Sequence, residues 1–342
     1  MSVTVRSFAK INLGLYIGAR REDGFHDLLT VYQTIGLHDV LRVSVKRGNG
    51  VEIRCEDVHV PRDDSNTCWR IVEKTMAALK ARGRVVIEIE KRLPVQGGLG
   101  GASSNAVAAM LGLEKALKKN LTAAQRLRIA ADVGSDLPLF LLGGTVLGVG
   151  RGEQVYPVQD LPAMACVVVT PKVGVSTPRA FAEWDRIYGP AGPGSTRTAG
   201  HGYPHWGSSH SDKLTAGAGS DRMVELGRAL SAWLSELASS SAPRKRGQTL
   251  NPLHGLVRTG IANDFEQVVF PEYPELREGK LALERAGAKY ASLSGSGSAL
   301  YGLFASGAAA RVAAARLKRQ GWNSLATATV TRRSYWRRIF DC

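Results

Sequence analysis

Pro94-Val95-Gln96-Gly97-Gly98-Leu99-Gly100-Gly101-Ala102-Ser103-Ser104-Asn105 is the stretch that decides what this chain is built to hold. Four glycines leave no Cβ in the way, so the backbone can approach an anion closely. Consecutive amides in such a turn form an anion-binding concavity. Upstream, Val86-Ile87-Glu88-Ile89 alternates as a strand does. Downstream, Ala106, Met110, Leu113 and Leu117 recur at helical spacing. The loop therefore feeds a helix N-terminus, whose unpaired N–H groups and positive dipole end favour phosphate. Ser103 and Ser104 add hydroxyls for phosphate oxygens or magnesium. There is no GxxxxGK followed by Ser or Thr, and no GxGxxG with a downstream ribose-binding acid, so neither of the commonest nucleotide loops is present.

Working outward, residues 3 to 90 are strand-rich, with alternation at Val3-Thr4-Val5 and from Leu41 to Val45, and a helix from Thr67 to about Lys80. A second helix is expected near Ala123 to Asp132, then strands at Val146 to Val149 and Cys166 to Thr170. The change near residue 160 marks a domain boundary, dividing the chain into 1–160 and 161–342. Residues 189 to 222 are rich in Gly, Ser, His and Pro without apolar periodicity, and Ser239 to Thr249 is polar and basic. Such a segment cannot bury enough surface to offset its ordering entropy. A disordered insertion over about 189–250 is expected, and the irregular spacing of His201, His205 and His210 argues against a metal site there. From Asn263 order returns: helices at 276–286 and 308–320, strands at 289–293, 299–304 and 327–330, and a basic terminal helix from Arg332 to Arg338.

The 342 residues suffice for two domains, and 44% hydrophobic with 22% charged residues is ordinary for a globular chain. No apolar run reaches the roughly 18 to 20 residues of a membrane span. Met1 to Lys10 lacks a secretory apolar stretch. A cytoplasmic protein without a membrane partner is expected. The four cysteines show neither CxxC nor His/Cys ligand spacing, which points to buried thiols rather than disulfides or zinc. The net charge of +15 is spread along the chain rather than gathered in an RNA-reading motif, so a nucleic-acid partner is not expected. Oligomeric state is not legible.

The loop resembles the phosphate-binding signature of the GHMP kinase superfamily, and two further motifs stand in the family's order: Ala9-Lys10-Ile11-Asn12-Leu13 and Ser294-Gly295-Ser296-Gly297-Ser298. Within it, Arg21-Glu22-Asp23-Gly24-Phe25-His26, Gly134 to Phe140, Leu147 to Glu153 and Asn263-Asp264-Phe265-Glu266 are similar to the branch that acts on a diphosphocytidyl alcohol. The resemblance implies an α+β, two-domain GHMP kinase fold, with an N-terminal ribosomal-protein-S5-like ATP-binding domain and a C-terminal ferredoxin-like α/β substrate domain. It implies ATP-dependent phosphorylation of the 2-hydroxyl of 4-diphosphocytidyl-2-C-methyl-D-erythritol in the non-mevalonate isoprenoid pathway, with Mg2+.

By the same resemblance, Asp136 matches a catalytic aspartate and Lys10 the lysine beside it. Asn12 and His26 match substrate contacts, and Phe25 and Phe181 the pair that sandwiches the cytosine. ATP would lie on Pro94, Gly97, Gly98, Leu99, Gly100, Gly101, Ala102, Ser103, Ser104 and Asn105, with Lys91 and Asn66 nearby. The chemistry is consistent: an attacking alcohol must lose its proton, and a carboxylate within hydrogen-bond reach accepts it. Lys10 would keep that carboxylate ionised and neutralise charge on the transferring group. Ala102 replaces a frequent glycine, which is tolerable if its φ is negative. Phe25 replaces a frequent tyrosine. No acidic magnesium ligand can be assigned. The alternatives are another GHMP-type kinase, acting on homoserine or mevalonate, and a non-catalytic RNA-binding or regulatory relative.

Overall fold

Two long antiparallel strands, β1 (Ser2–Arg20) and β2 (His26–Lys46), form the frame on which the rest is hung in a computed structural model that describes residues 2–95, 97–189, 228, 232 and 261–340. The insertion expected over about 189–250, with its three histidines, lies outside the described residues but for 189, 228 and 232. β1 runs along one edge of β2. On the other edge, residues 40–46 pair with β4 (Arg84–Glu90) and residues 30–33 with β5 (Thr145–Val149). β3 (Gly50–Cys55) adds parallel to β4, and β6 (Gln154–Pro157) antiparallel to β5. Apolar residues keep the strand period through β1 at Ala9, Ile11, Leu13, Leu15 and Ile17, while the alternate positions carry buried Lys10 and Asn12; β2 likewise buries Thr30, Gln33 and Thr34 in its middle. Register shifts between Phe8 and Lys10 and between Asn12 and Gly14 bend β1 at those polar residues.

One face of this sheet is covered by α1 (Thr67–Ala78), α2 (Gly101–Leu117), α3 (Ala123–Val133) and the short α4 (Leu137–Phe140). A second sheet, in the order β10-β7-β9-β8, comprises β7 (Ala165–Val169), β8 (Tyr290–Leu293), β9 (Leu300–Phe304) and β10 (Ser324–Ala328), all antiparallel. Alternation along β7 shows how it is sandwiched. Cys166 and Val168 face Ile11, Leu13 and Ile35 of the first sheet. Val167 and Val169 face the helical side, formed by α5 (Thr177–Tyr188), α6 (Glu266–Glu272), α7 (Pro274–Arg285) and α8 (Gly307–Arg319).

The change near residue 160 falls between β6 and β7. After β10 the chain crosses back: Val330 N–H donates to the Thr34 carbonyl at 2.8 Å, and α9 (Arg332–Arg338) buries Tyr335 in the first core. That crossing is why β10 lies at 324–328 rather than 327–330. Cys55, Cys68 and Cys166 are free and buried. Among the described residues no helix is long and apolar enough to cross a membrane.

Candidate active site

Gly98 and Gly100 show what the phosphate loop requires of its backbone. Both have positive φ, +72° and +69°, where a side chain is strained. A Cβ on Gly98 would overlap the Ser294 carbonyl oxygen, and one on Gly100 would press on Phe140 and Lys10. The two serine-glycine motifs therefore touch: the Ser294 hydroxyl donates to the Gly98 carbonyl at 3.0 Å, and Ala299 N–H to Gly97 at 3.0 Å. Asn263 holds the second loop from behind through the carbonyls of Leu293 and Gly295. α2 starts on Gly100 with no side-chain cap and no acid in its first turn, so its leading N–H groups have no partner within the helix. Ala102 lies inside α2, which answers the question of its φ.

These elements wall a cavity of about 640 Å³. Lys10 and Asn12, two apart on β1, point into it from the bent segment. Lys10 Nζ donates to Asn12 Oδ1 at 2.8 Å and lies 3.3 Å from Asp136 Oδ2. Asn12 in turn donates to the Thr30 hydroxyl at 2.8 Å. Lys10 is 4% exposed and Asp136 34%, so the ammonium is fixed while the carboxylate is open to a ligand. Asp136 precedes α4 and caps nothing. Its Oδ1 accepts from the Tyr32 hydroxyl at 3.1 Å. Burial, and then the Asp136 charge, push the Tyr32 phenol well above its ordinary pKa, so it remains a donor.

Behind the loop sits Asp39, which sequence reasoning did not single out. Fully buried, it accepts four hydrogen bonds: Lys91 Nζ at 2.7 Å, Asn105 Nδ2 at 3.0 Å, and the N–H groups of Arg92 and Leu93 at 2.7 Å each. Lys91 and Asn105 thus reach the cavity as a set held by one carboxylate. Asn105 Oδ1, buried and without a partner, awaits a donor. Asn66 also lines the cavity, but its amide caps α1 at Cys68 N–H and donates to the Pro61 carbonyl.

At the opposite end, His26 Nε2 lies 2.7 Å from Asp185 Oδ1, and its ring stacks on Phe181 at 4.9 Å and 6°. Phe265 meets Phe181 edge-on. Phe25, 51% exposed on the turn before β2, lies under the Arg151 guanidinium at 4.9 Å. Phe25 and Phe181 line the same cavity, and His26 is stacked on Phe181.

Pro94, Gly97, Gly98, Gly100, Gly101, Ala102 and Ser103 all line the cavity. Two loop residues do not. Leu99 is packed in the core between the sheets, and Ser104 accepts a hydrogen bond from the Ser7 hydroxyl at 2.8 Å. Only Ser103 offers a loop hydroxyl to a ligand. Asp39, Tyr32 and Asp185 stand in segments without a motif of their own; Arg151 lies in the 147–153 motif, but nothing there singles out its side chain. Among the described residues no three His, Cys, Asp or Glu side chains cluster to hold a metal.

Comparison with known proteins agrees with this geometry. The GHMP kinase N-terminal domain matches residues 66–144 and the GHMP kinase C-terminal domain residues 248–323. A 4-diphosphocytidyl-2-C-methyl-D-erythritol kinase of Solibacter usitatus (strain Ellin6076) is 35% identical over 300 residues, 88% of this chain and 80% of its own length. One of Moorella thermoacetica (strain ATCC 39073 / JCM 9320) is 31% identical, covering 96% of this chain and 99% of its own. A crystal structure of 4-(cytidine 5'-diphospho)-2C-methyl-D-erythritol kinase superposes with a TM-score of 0.68 at 28% identity, over 95% of this chain and 98% of that one. Two-domain α+β architecture, loop, motifs and relatives coincide: the chain belongs to the 4-diphosphocytidyl-2-C-methyl-D-erythritol kinase family of GHMP kinases.

Proposed function

We propose that this chain transfers the γ-phosphoryl group of ATP to the 2-hydroxyl of 4-diphosphocytidyl-2-C-methyl-D-erythritol, with Asp136 as base. One observation carries the reading: a single cavity holds an anion-binding loop, a lysine–aspartate pair and a cluster of aromatic and imidazole rings. Small alcohols such as homoserine or mevalonate have no base for those rings to meet.

The triphosphate would lie over the first turn of α2, on the backbone of residues 97–103 and the Ser103 hydroxyl, with Lys91 and Asn105 beside it. Magnesium would travel with the triphosphate and spread its charge. Ser103 and Asp136, which line the same cavity, would be the protein oxygens available to hold it. The alcohol oxygen forms its bond to γ-phosphorus as the bond to the bridging oxygen breaks and ADP leaves; its proton passes to an Asp136 oxygen. Base catalysis of this kind contributes roughly 10² to 10⁴ in rate, about 3 to 5 kcal/mol. Lys10 is placed to balance the charge shared by Asp136 and the transferring group. The cytosine would enter beside His26 and Phe181, with Phe25 free to turn onto its outer face. Residues 1–160, joined by the returning 330–340, would form the ATP-binding domain, in a cytoplasmic enzyme.

The test is ADP release with magnesium-ATP and the cytidyl alcohol, for the native chain and for Asp136→Asn. Turnover that needs this alcohol and falls at least about a hundredfold in the variant supports the reading. Turnover with homoserine or mevalonate instead keeps the kinase and removes the substrate. No turnover by folded, ATP-binding protein removes both.

A further inference from the structure

Alternation along β1 and β2, continued just past the end of β4, gives three segments two faces of opposite use. Ser7, Asp39 and Lys91 face the phosphate loop, whereas their neighbours Arg6, His38 and Arg92 turn to the other side. There they line a separate cleft of about 330 Å³ together with Thr4, Val40, Arg42 and Glu90. Its layout follows from the register. Val40 stands opposite Arg6 on β1 and Glu90 on β4, while Arg42 and His38 lie two residues to either side of Val40 on β2. Neighbours on such a face are about 5 Å apart across the ladder and about 7 Å along it, so the guanidinium groups converge over one apolar floor.

The charges are unbalanced. Glu90 is the one acid in the lining, and Arg92 already holds it at 2.6 and 2.8 Å; Glu88, opposite Arg42 on β4, is paired with Arg54 at 3.3 Å. Arg6 reaches only a backbone oxygen, that of Arg338, at 3.3 Å, and Arg42 is exposed. Arg338 adds a further cation at the rim, its guanidinium 5.3 Å from the Phe8 ring. Burial holds the His38 imidazole below its ordinary pKa, the Gly36 carbonyl opposes this, and Arg92, Arg6 and Arg338 push the same way as burial.

We propose that this cleft is a second anion site, distinct from the phosphate loop, that binds one compact diphosphate-class anion between Arg6 and Arg42, beside the Arg92–Glu90 pair. Planar guanidinium groups suit bidentate contacts to adjacent phosphate oxygens. The Thr4 hydroxyl supplies a further donor. A single sheet face and a small volume favour a diphosphate over an extended polymer. The site does not depend on which alcohol the kinase accepts.

The test is calorimetric titration of inorganic diphosphate into the full chain, first saturated with a non-hydrolysable ATP analogue to fill the loop. One diphosphate per chain should still bind, and Arg42→Ala should weaken it at least about tenfold, the loss of one charge-assisted pair. Arg42→Lys should retain part of the affinity, and basal turnover of Arg42→Ala should equal that of the native chain. Three results would overturn the proposal: diphosphate excluded by the ATP analogue, affinity indifferent to Arg42→Ala, or Arg42-dependent binding of single-stranded RNA without binding of diphosphate.

Discussion

Replacing Asp39 by asparagine keeps the shape of the side chain and removes its charge. Its carboxylate meets donors on both oxygens, two backbone N–H groups on one side and Lys91 with Asn105 on the other. An amide can satisfy only one side. With its oxygen kept on the backbone, its NH₂ faces the Lys91 ammonium, which is 9% exposed and has no other carboxylate partner among the described residues. Asn105 can turn its unpaired Oδ1 towards the new NH₂, whereas Lys91 is left without a carboxylate partner among the described residues. An unpaired buried charge of this kind costs about 3 to 5 kcal/mol. At a urea m-value of about 3 kcal/mol/M the midpoint should fall by about 1 to 1.7 M. Lys91→Met added to Asp39→Asn removes the stranded charge, so the double variant should regain most of the loss, a coupling of at least about 2 kcal/mol in the cycle. Asp39→Asn within about 0.5 kcal/mol of the native chain, or a double variant no better than the single one, would refute the account of Asp39 as the anchor of this corner.

The loop glycines should separate sharply. Gly98→Ala, at positive φ and against the Ser294 carbonyl, should destabilise by more than about 2 kcal/mol and abolish ATP binding, whereas Gly101→Ala, in ordinary contact with Lys91 and Leu93 inside α2, should leave the melting temperature equal or higher and raise only the KM for ATP. Asp185→Asn removes the carboxylate partner of His26, so KM for the cytidyl alcohol should rise about tenfold or more with kcat within about threefold, the reverse of Asp136→Asn. Burial pushes the phenols of Tyr32, Tyr290, Tyr301 and Tyr335 above their ordinary pKa, and unfolding lets them ionise near pH 10. Stability is therefore full below about pH 10 and lost as pH rises beyond it; the part of the tyrosinate absorbance that these four residues contribute should appear together with loss of circular dichroism, not before it.

The parts that could be read without coordinates were those where one local rule applied. The 94–105 loop announced itself through glycine density between a strand and a helix, and helices such as 123–133 through their apolar spacing. Asp39 was illegible because its role depends on β2, β4 and α2 meeting, and nothing nearby marks it. The helix at 177–188 has no counterpart among the expected elements, although Ser176, Thr177 and Pro178 form a helix start. Ser103 and Ser104 are equivalent in sequence and diverge in space. Helical rotation of about 100° turns one to the cavity and the other to Ser7.

What distinguishes the two ends of the cavity is which groups the protein has already satisfied. At the phosphate end the side chains are bound to one another, Lys91 and Asn105 by Asp39, Lys10 by Asn12 and Asp136. The groups left without partners that a phosphate can use are the N–H donors at the start of α2. Their orientation is set on folding, so a triphosphate meets them without reorganisation, which is the condition for electrostatic stabilisation of a transferring phosphoryl group. At the base end the order is reversed. His26 is stacked and paired through α5, which carries both Phe181 and Asp185 four residues apart on one helical face. Phe25 alone is open, held by a single cation–π contact. Binding there must rearrange side chains, so its cost appears in affinity for the alcohol and not in the chemical step. That division explains why substitutions that break the pre-set phosphate end, such as Asp39→Asn or Gly98→Ala, should register as lost stability, while those around α5 should register as a change of KM.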